Sequence, residues 1–396
     1  MSQSIPPELI ADILCRLPTR TLARSRCVSK QWREIIDDFH FTKRHLQHSI
    51  HTNSNRRLFI QIDHFAGLKR LKCCRPGAPF RFSDDPNFGG ETSNTHLFMG
   101  SCHGLLCFHL TNTLADFILV NPSTSQRHYV NNYLQNFSLW AGAQLAGRGF
   151  GYDPITHDYK AVRIGSFNDQ SEPRAEIYSL GARSRKVVNM PYLPFGPHRM
   201  GVSAGGGLHW IGGRCDDLFG PRVIVSLDLG SDEFYELPQP EFGDQPFILT
   251  IGALGSWLCV CAAYEDDERL DVWAMEEPGK KGKGRCWNRL YSIRDAAVGR
   301  RWALALGFWE GRILFMLDRS GFAWYDPSKE RVDVVEVDGP PEDVYFDAVY
   351  CLESLVKPFV WKVEGKKQAK QRNEKKITWR KKEVFLMVTY AGKNNR

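Results

Sequence analysis

Beyond residue 55 one short unit recurs along the chain: a turn of small residues ending in glycine, followed by an apolar strand. It reads His103-Gly104-Leu105-Leu106-Cys107-Phe108, Gly207-Leu208-His209-Trp210-Ile211, Gly255-Ser256-Trp257-Leu258-Cys259-Val260 and Gly311-Arg312-Ile313-Leu314-Phe315-Met316. The last three glycines are about 50 residues apart, and the first interval is about twice that. One more unit therefore lies inside it, at Gly149-Phe150-Gly151-Tyr152-Asp153-Pro154. Each unit ends on a second strand and a polar turn, as in Ile118-Leu119-Val120-Asn121-Pro122 and Ala323-Trp324-Tyr325-Asp326-Pro327. The Asn-Pro and Asp-Pro pairs start such turns well, because the Asx oxygen accepts local amides and proline presets φ.

Four strands in roughly 50 residues is the period of a β-propeller blade. Five units are legible between 97 and 338. Leu58-Phe59-Ile60-Gln61-Ile62 before them and the run from Val344 to Leu355 after them are strands that can pair into a sixth. Such pairing closes the ring and protects both terminal edges. The body is thus expected to be an all-β propeller of six blades, with a β-sandwich as the alternative.

Residues 5 to 36 differ in kind. Leu9, Ile10, Ile13, Leu14 and Leu17 fall on one helical stripe. Pro6 and Pro7 suit a first turn, and Pro18 stops the helix. A second apolar set, Leu22, Cys27 and Val28, leads to a helix that Ser29 can N-cap, in which Trp32, Ile35 and Ile36 recur at helical spacing. So short a segment carries more apolar surface than it can bury alone, which makes it either a cap on the next domain or a dock for a separate protein.

The string I-P-P-E-L-I-x-x-I-L-x-R-L-P followed by L-x-R-x-R-C-V-S-K-x-W resembles the F-box, the motif through which substrate receptors bind the Skp1 adaptor of cullin-RING ubiquitin ligases. Ile5 stands where that family usually has leucine, a volume-conserving change. The body carries a second resemblance. G-S-C-H-G-L-L-C-F, N-P-S-T, G-F-G-Y-D-P-x-T-x-D-Y-K-A-V-R-I and Y-x-x-E-S-L-V-K-P are similar to the plant F-box-associated domain, itself similar to kelch-type propellers. Together these imply a three-helix F-box over 1–45, a linker over 46–57 and a substrate-binding propeller over 58–360, and they leave 361–396 as a tail that does not resemble the family. They imply as partners a Skp1-like adaptor, through it a cullin-RING ligase, and a target protein that the resemblance does not name. The adaptor contact falls to Pro6, Leu9, Ile10, Ile13, Leu14, Leu17, Pro18, Leu22, Val28, Trp32 and Ile36, some of which, Trp32 above all, could instead pack the module internally. Loops 165–175, 214–222, 239–247 and 276–286 are candidates for target contact by length alone.

Composition narrows the remaining classes. The eleven cysteines form no C-x-x-C pair, and no signal peptide precedes them, which points to reduced thiols in the cytosol or nucleus. The net charge of +7 is concentrated in 362–396, where twelve Lys or Arg face three acidic residues. The body is nearly neutral and gives no warrant for nucleic-acid binding, while the tail reads as a disordered basic extension, a nuclear-import signal or a nucleic-acid contact. The uncharged run from Pro246 to Tyr264 approaches membrane-spanning length, but Gly252 and Gly255-Ser256 break it into two strands around a turn.

No P-loop, H-E-x-x-H or H-x-H set occurs, and no cofactor is expected. Gly201-Val202-Ser203-Ala204-Gly205 has the form of a nucleophile elbow, which needs a strand, a tight turn and then a helix. Here Gly206-Gly207 and another strand follow. Cys259 and Cys261 share a strand face and fit core packing better than metal binding, and His103 and His209 beside glycines fit turn contacts. The expectation is a non-catalytic receptor subunit; the alternative is a propeller hydrolase or glycan-binding protein capped by helices.

Overall fold

The structure, a computed structural model, describes residues 5–52, 55–63, 69–74, 83–84, 96–110, 117–130, 144–166, 173–196, 199–217, 220–276, 286–335 and 345–358. The basic tail 361–396 lies outside these residues. Four helices come first: α1 (Pro7–Cys15), α2 (Thr19–Ser25), α3 (Lys30–Asp37) and α4 (Phe39–His51). Local chemistry sets their ends. Pro6 precedes α1, Pro18 begins α2, and the Ser29 hydroxyl accepts the Trp32 amide at 3.1 Å to cap α3. Asp38 caps α4 by accepting the amides of His40 and Phe41.

The helical module differs from the expected one in extent. The expected boundary at 45 falls inside α4, which continues as helix through residues 46–51. The reason is a continuous inner face: Phe41, His45, Leu46 and Ser49 recur at helical spacing and are all buried. The module has four helices instead of three.

The body is a ring of six antiparallel sheets among the described residues. Blade one comprises His96–Cys102, Leu105–Leu110, Phe117–Asn121 and Gln126–Val130, and blade two Gln144–Asp153, Asp158–Ser166, Arg174–Ser179 and Ser184–Asn189. In blade three, Tyr192–Pro194 and Val202–Ala204 both pair with Gly207–Arg214, followed by Val223–Asp228 and Glu233–Leu237. Blade four holds Ile248–Leu254, Trp257–Tyr264, Arg269–Met275 and Asn288–Arg294; blade five holds Ala303–Trp309, Arg312–Leu317, Gly321–Asp326 and Arg331–Val335. The uncharged run is the first hairpin of blade four, with Leu254 opposite Trp257.

Blade six is made from both ends of the propeller. Tyr345–Leu352 is its innermost strand and pairs with Arg56–Asp63 from Arg56↔Leu352 to Asp63↔Tyr345, and Lys69–Cys74 and Ser83–Asp84 complete it. The ring is therefore closed by strands from opposite ends, as the terminal runs predict.

The turns use the expected chemistry. Asn121, Asp153, Asp228 and Asp326 each accept the amide two residues on, at 2.8 to 3.0 Å. The core lies between blades, where aliphatic and aromatic faces of neighbouring sheets meet, as for Leu304, Leu314 and Phe322 against Leu58, Ile60 and Phe346. Inner strands approach closely: a Cβ on Gly252 in blade four would lie 2.1 Å from the Ala305 carbonyl oxygen in blade five.

Candidate functional site

The candidate docking surface is built on α1. Leu9 and Ile13, one turn apart, are 53% and 57% exposed, and Ile5 (57%) and Val28 (64%) are exposed apolar side chains of the same module. Pro6 and Pro18 are exposed as well. Ile10, Leu14, Leu22 and Ile36 are buried together with Cys15 and Phe41 in the module's own core. These four expected contact residues are interior packing, because α3, α4 and a residue from far along the chain, Leu355, cover that side of α1. Leu17 and Trp32 are half-buried and pack against the same core.

The stripe of Leu9, Ile10, Ile13, Leu14 and Leu17 is divided in two, with Leu9 and Ile13 outside and Ile10, Leu14 and Leu17 against the core. Ile5 was left outside the contact set; its place directly before Pro6 was the available signal. Inside, the His45 ring is buried and its Nε2 lies 2.9 Å from the Leu17 carbonyl, to which it donates. Burial holds its pKa below the usual imidazole value, which favours the neutral ring. The rim carries exposed ion pairs, Arg26–Asp37 and Arg44–Asp12, both at 2.9 Å. Pairs this exposed add little stability, on the order of 0–1 kcal/mol each, and leave the apolar face as the distinguishing feature.

The propeller presents two rims. Its tight turns, including 103–104, 122–125 and 326–330, lie at the end where α4 enters blade six and Leu352 leaves it. The connection 239–247 lies at the opposite end, between Glu233–Leu237 and Ile248–Leu254; of the other candidate loops, 167–172, 218–219 and 277–285 lie outside the described residues. Between the rims the innermost strands are bridged by charge: Arg148 of blade two reaches across blade one, donating to the Phe98 carbonyl at 2.5 Å, and pairs with Asp347 of blade six. Asp347 also accepts from Arg319 at 3.0 Å.

The catalytic candidates do not converge. Ser203 sits in the strand Val202–Ala204, followed by a turn and another strand, without the helix that a nucleophile elbow needs. His209 belongs to that following strand instead of a turn; it is fully buried, with Nδ1 2.7 Å from the Ser226 hydroxyl and Nε2 3.1 Å from the Ala204 carbonyl. His103 does occupy a turn, at φ +53, beside Tyr159 at 3.2 Å. Cys259 and Cys261 are buried in the interface of blades four and five.

Residues 85–355 match the family described as the F-box associated beta propeller domain, and residues 2–44 match the F-box domain. The chain belongs to the F-box-associated β-propeller family and carries an N-terminal F-box. The F-box match ends within α4, and the propeller match takes in blades one to five and the closing strand Tyr345–Leu352. F-box protein CPR1 of Arabidopsis thaliana is 26% identical, over 94% of this chain and 95% of that one. An F-box/kelch-repeat protein of the same plant is 29% identical, over 83% of this chain and 89% of that one. Among solved structures, TolB from Acinetobacter baumannii aligns with a TM-score of 0.42 at 12% identity, covering 76% of this chain and 67% of that one. Among the described residues no helix is long and apolar enough to cross a membrane.

Proposed function

We propose that this F-box protein is the substrate-recognition subunit of an SCF-type ubiquitin ligase, working in the cytosol or nucleus. The exposed Ile5, Leu9, Ile13 and Val28 over a separately packed core carry the reading: an apolar face that the protein itself leaves uncovered suits a Skp1-type adaptor. Exposed Pro6 and Pro18 at the starts of α1 and α2, and half-buried Leu17 and Trp32, belong to the same expected contact set. The adaptor joins the receptor to a cullin-RING ligase, and the propeller holds a target protein through the loop rim remote from the F-box.

The receptor's contribution is proximity. Holding the target beside a ubiquitin-charged partner raises the effective concentration of its lysines at the thioester, while the covalent steps belong to other subunits. No convergence of Ser203 with His209 favours hydrolysis. Retention of purified Skp1 by the full chain, lost in Leu9→Asp with Ile13→Asp, is the test; a variant that retains Skp1 as well as the parent does overturns the reading.

A further inference from the structure

Residues 353–356 follow the strand that closes the ring, and they tie three parts of the molecule together. The Glu353 carboxylate is buried; it accepts the Thr19 hydroxyl at 3.0 Å, at the start of α2, and pairs with Arg57 Nε at 2.8 Å in blade six. The Glu353 amide donates to the Asn55 carbonyl at 2.6 Å. The Ser354 hydroxyl donates to the His103 carbonyl at 2.8 Å, in the first turn of blade one. From the next turn of that blade, Asn121 Nδ2 donates to the carbonyls of Ser354 and Val356 at 3.0 and 2.7 Å. Leu355 packs against the F-box core of Ile10, Leu14 and Leu22.

The fit leaves no slack. A Cβ on Gly104 would lie 2.3 Å from the Ser354 hydroxyl oxygen, and its φ of +79 already excludes an ordinary side chain. The covalent path from α4 into blade six is one attachment, about which a helical module can swing. The 353–356 segment supplies a second, from a point 334 residues away in sequence from Thr19. Two attachments on different helices remove the rotation that one permits.

We propose that residues 353–356, with Asn121 holding their carbonyls, are a positioning clasp that fixes the F-box at one attitude to the propeller. Its consequence rests on the receptor reading above: the attitude sets where a held target lies relative to the ubiquitin donor. The clasp itself is a property of the chain alone.

The full-length protein tests it through its two exposed cysteines, Cys27 in the F-box and Cys286 on the propeller, labelled with nitroxides. Pulsed dipolar spectroscopy should give one narrow Cys27–Cys286 distance, broadened at least about twofold by Glu353→Ala with Leu355→Ala. Retention of purified Skp1 should stay within about threefold, since the docking face is untouched. An unchanged width in the double variant overturns the clasp. Should that variant fail to fold, Thr19→Val removes one hydroxyl and should speed amide hydrogen exchange at Leu22 and Arg26 at least about tenfold; unchanged exchange there overturns the clasp equally. Broadening in a protein that never retains Skp1 supports the clasp and overturns the receptor reading.

Discussion

Leu9 and Ile10 are neighbours in α1 and face opposite environments: Leu9 keeps 53% of its surface in solvent, whereas Ile10 keeps 7%. The next turn repeats the arrangement with Ile13 at 57% and Leu14 at 0%. One side of the helix packs into the module's own core, and the other faces solvent.

Substitutions on the two sides should therefore separate binding from stability. Leu9→Asp with Ile13→Asp is expected to abolish Skp1 retention while shifting unfolding free energy by no more than about 0.5 kcal/mol, as surface changes do. Leu14→Ala empties a fully buried site and should cost about 2–5 kcal/mol. Urea unfolding of the three proteins beside an adaptor pull-down measures both effects, and a destabilised outer-face variant would contradict the division.

The ion pair between Arg148 and Asp347 joins blade two to the closing strand, and both side chains are buried. Asp347→Ala removes the carboxylate that faces Arg148 and Arg319, at an expected cost of about 3–5 kcal/mol, because a buried charge loses its counter-charge. Replacing Arg148 with Met and Asp347 with Leu together should recover most of that loss. Denaturant midpoints for the single and double variants decide it; equal midpoints for wild type and Asp347→Ala would show that the pair does not hold the ring.

At Gly252 the neighbouring blade leaves no room for a methyl group. Gly252→Ala should destabilise by about 1–3 kcal/mol through forced separation of blades four and five. The expected signature is a lower thermal midpoint with faster exchange of amides in Ile248–Leu254, and full retention of Skp1.

Buried histidines give the propeller an acid limit. Burial lowers the His103 pKa to about 4, and burial with the adjacent Arg163 charge lowers His109 to about 3. The native state then binds fewer protons than the unfolded chain wherever free imidazole is protonated. Stability present at neutral pH is lost as pH falls below about 6.5, and the His103 contribution levels off near 4. His103→Asn keeps a residue that tolerates the positive φ and should flatten urea midpoints measured from pH 7 to pH 4. A pH profile identical to wild type would remove His103 as a source of the acid sensitivity.

Much of the architecture is local and legible in the sequence. Asn121, Asp153, Asp228 and Asp326 announce hairpin turns because their side chains bond amides two residues away. The repeat spacing follows from those turns, and six blades follow from the spacing with the two terminal strands. Ser29 announces its cap in the same way. The extent of α4 was less legible, because the inward face of Phe41, His45, Leu46 and Ser49 includes two polar residues and reads as amphipathic only once buried.

What the chain's own order determined is the set of elements, the repeat and the presence of an apolar F-box stripe. Which half of that stripe meets solvent was decided by tertiary structure alone. Leu9, Ile10, Ile13 and Leu14 are chemically alike, and periodicity cannot assign an inside to a helix that is apolar on both. The assignment comes from α3, α4 and Leu355 covering one side, and the hold on the F-box comes from Glu353 reaching Thr19 across 334 residues. Hydrophobic spacing is a property of neighbours in sequence, whereas burial is set by whatever the fold brings from far away.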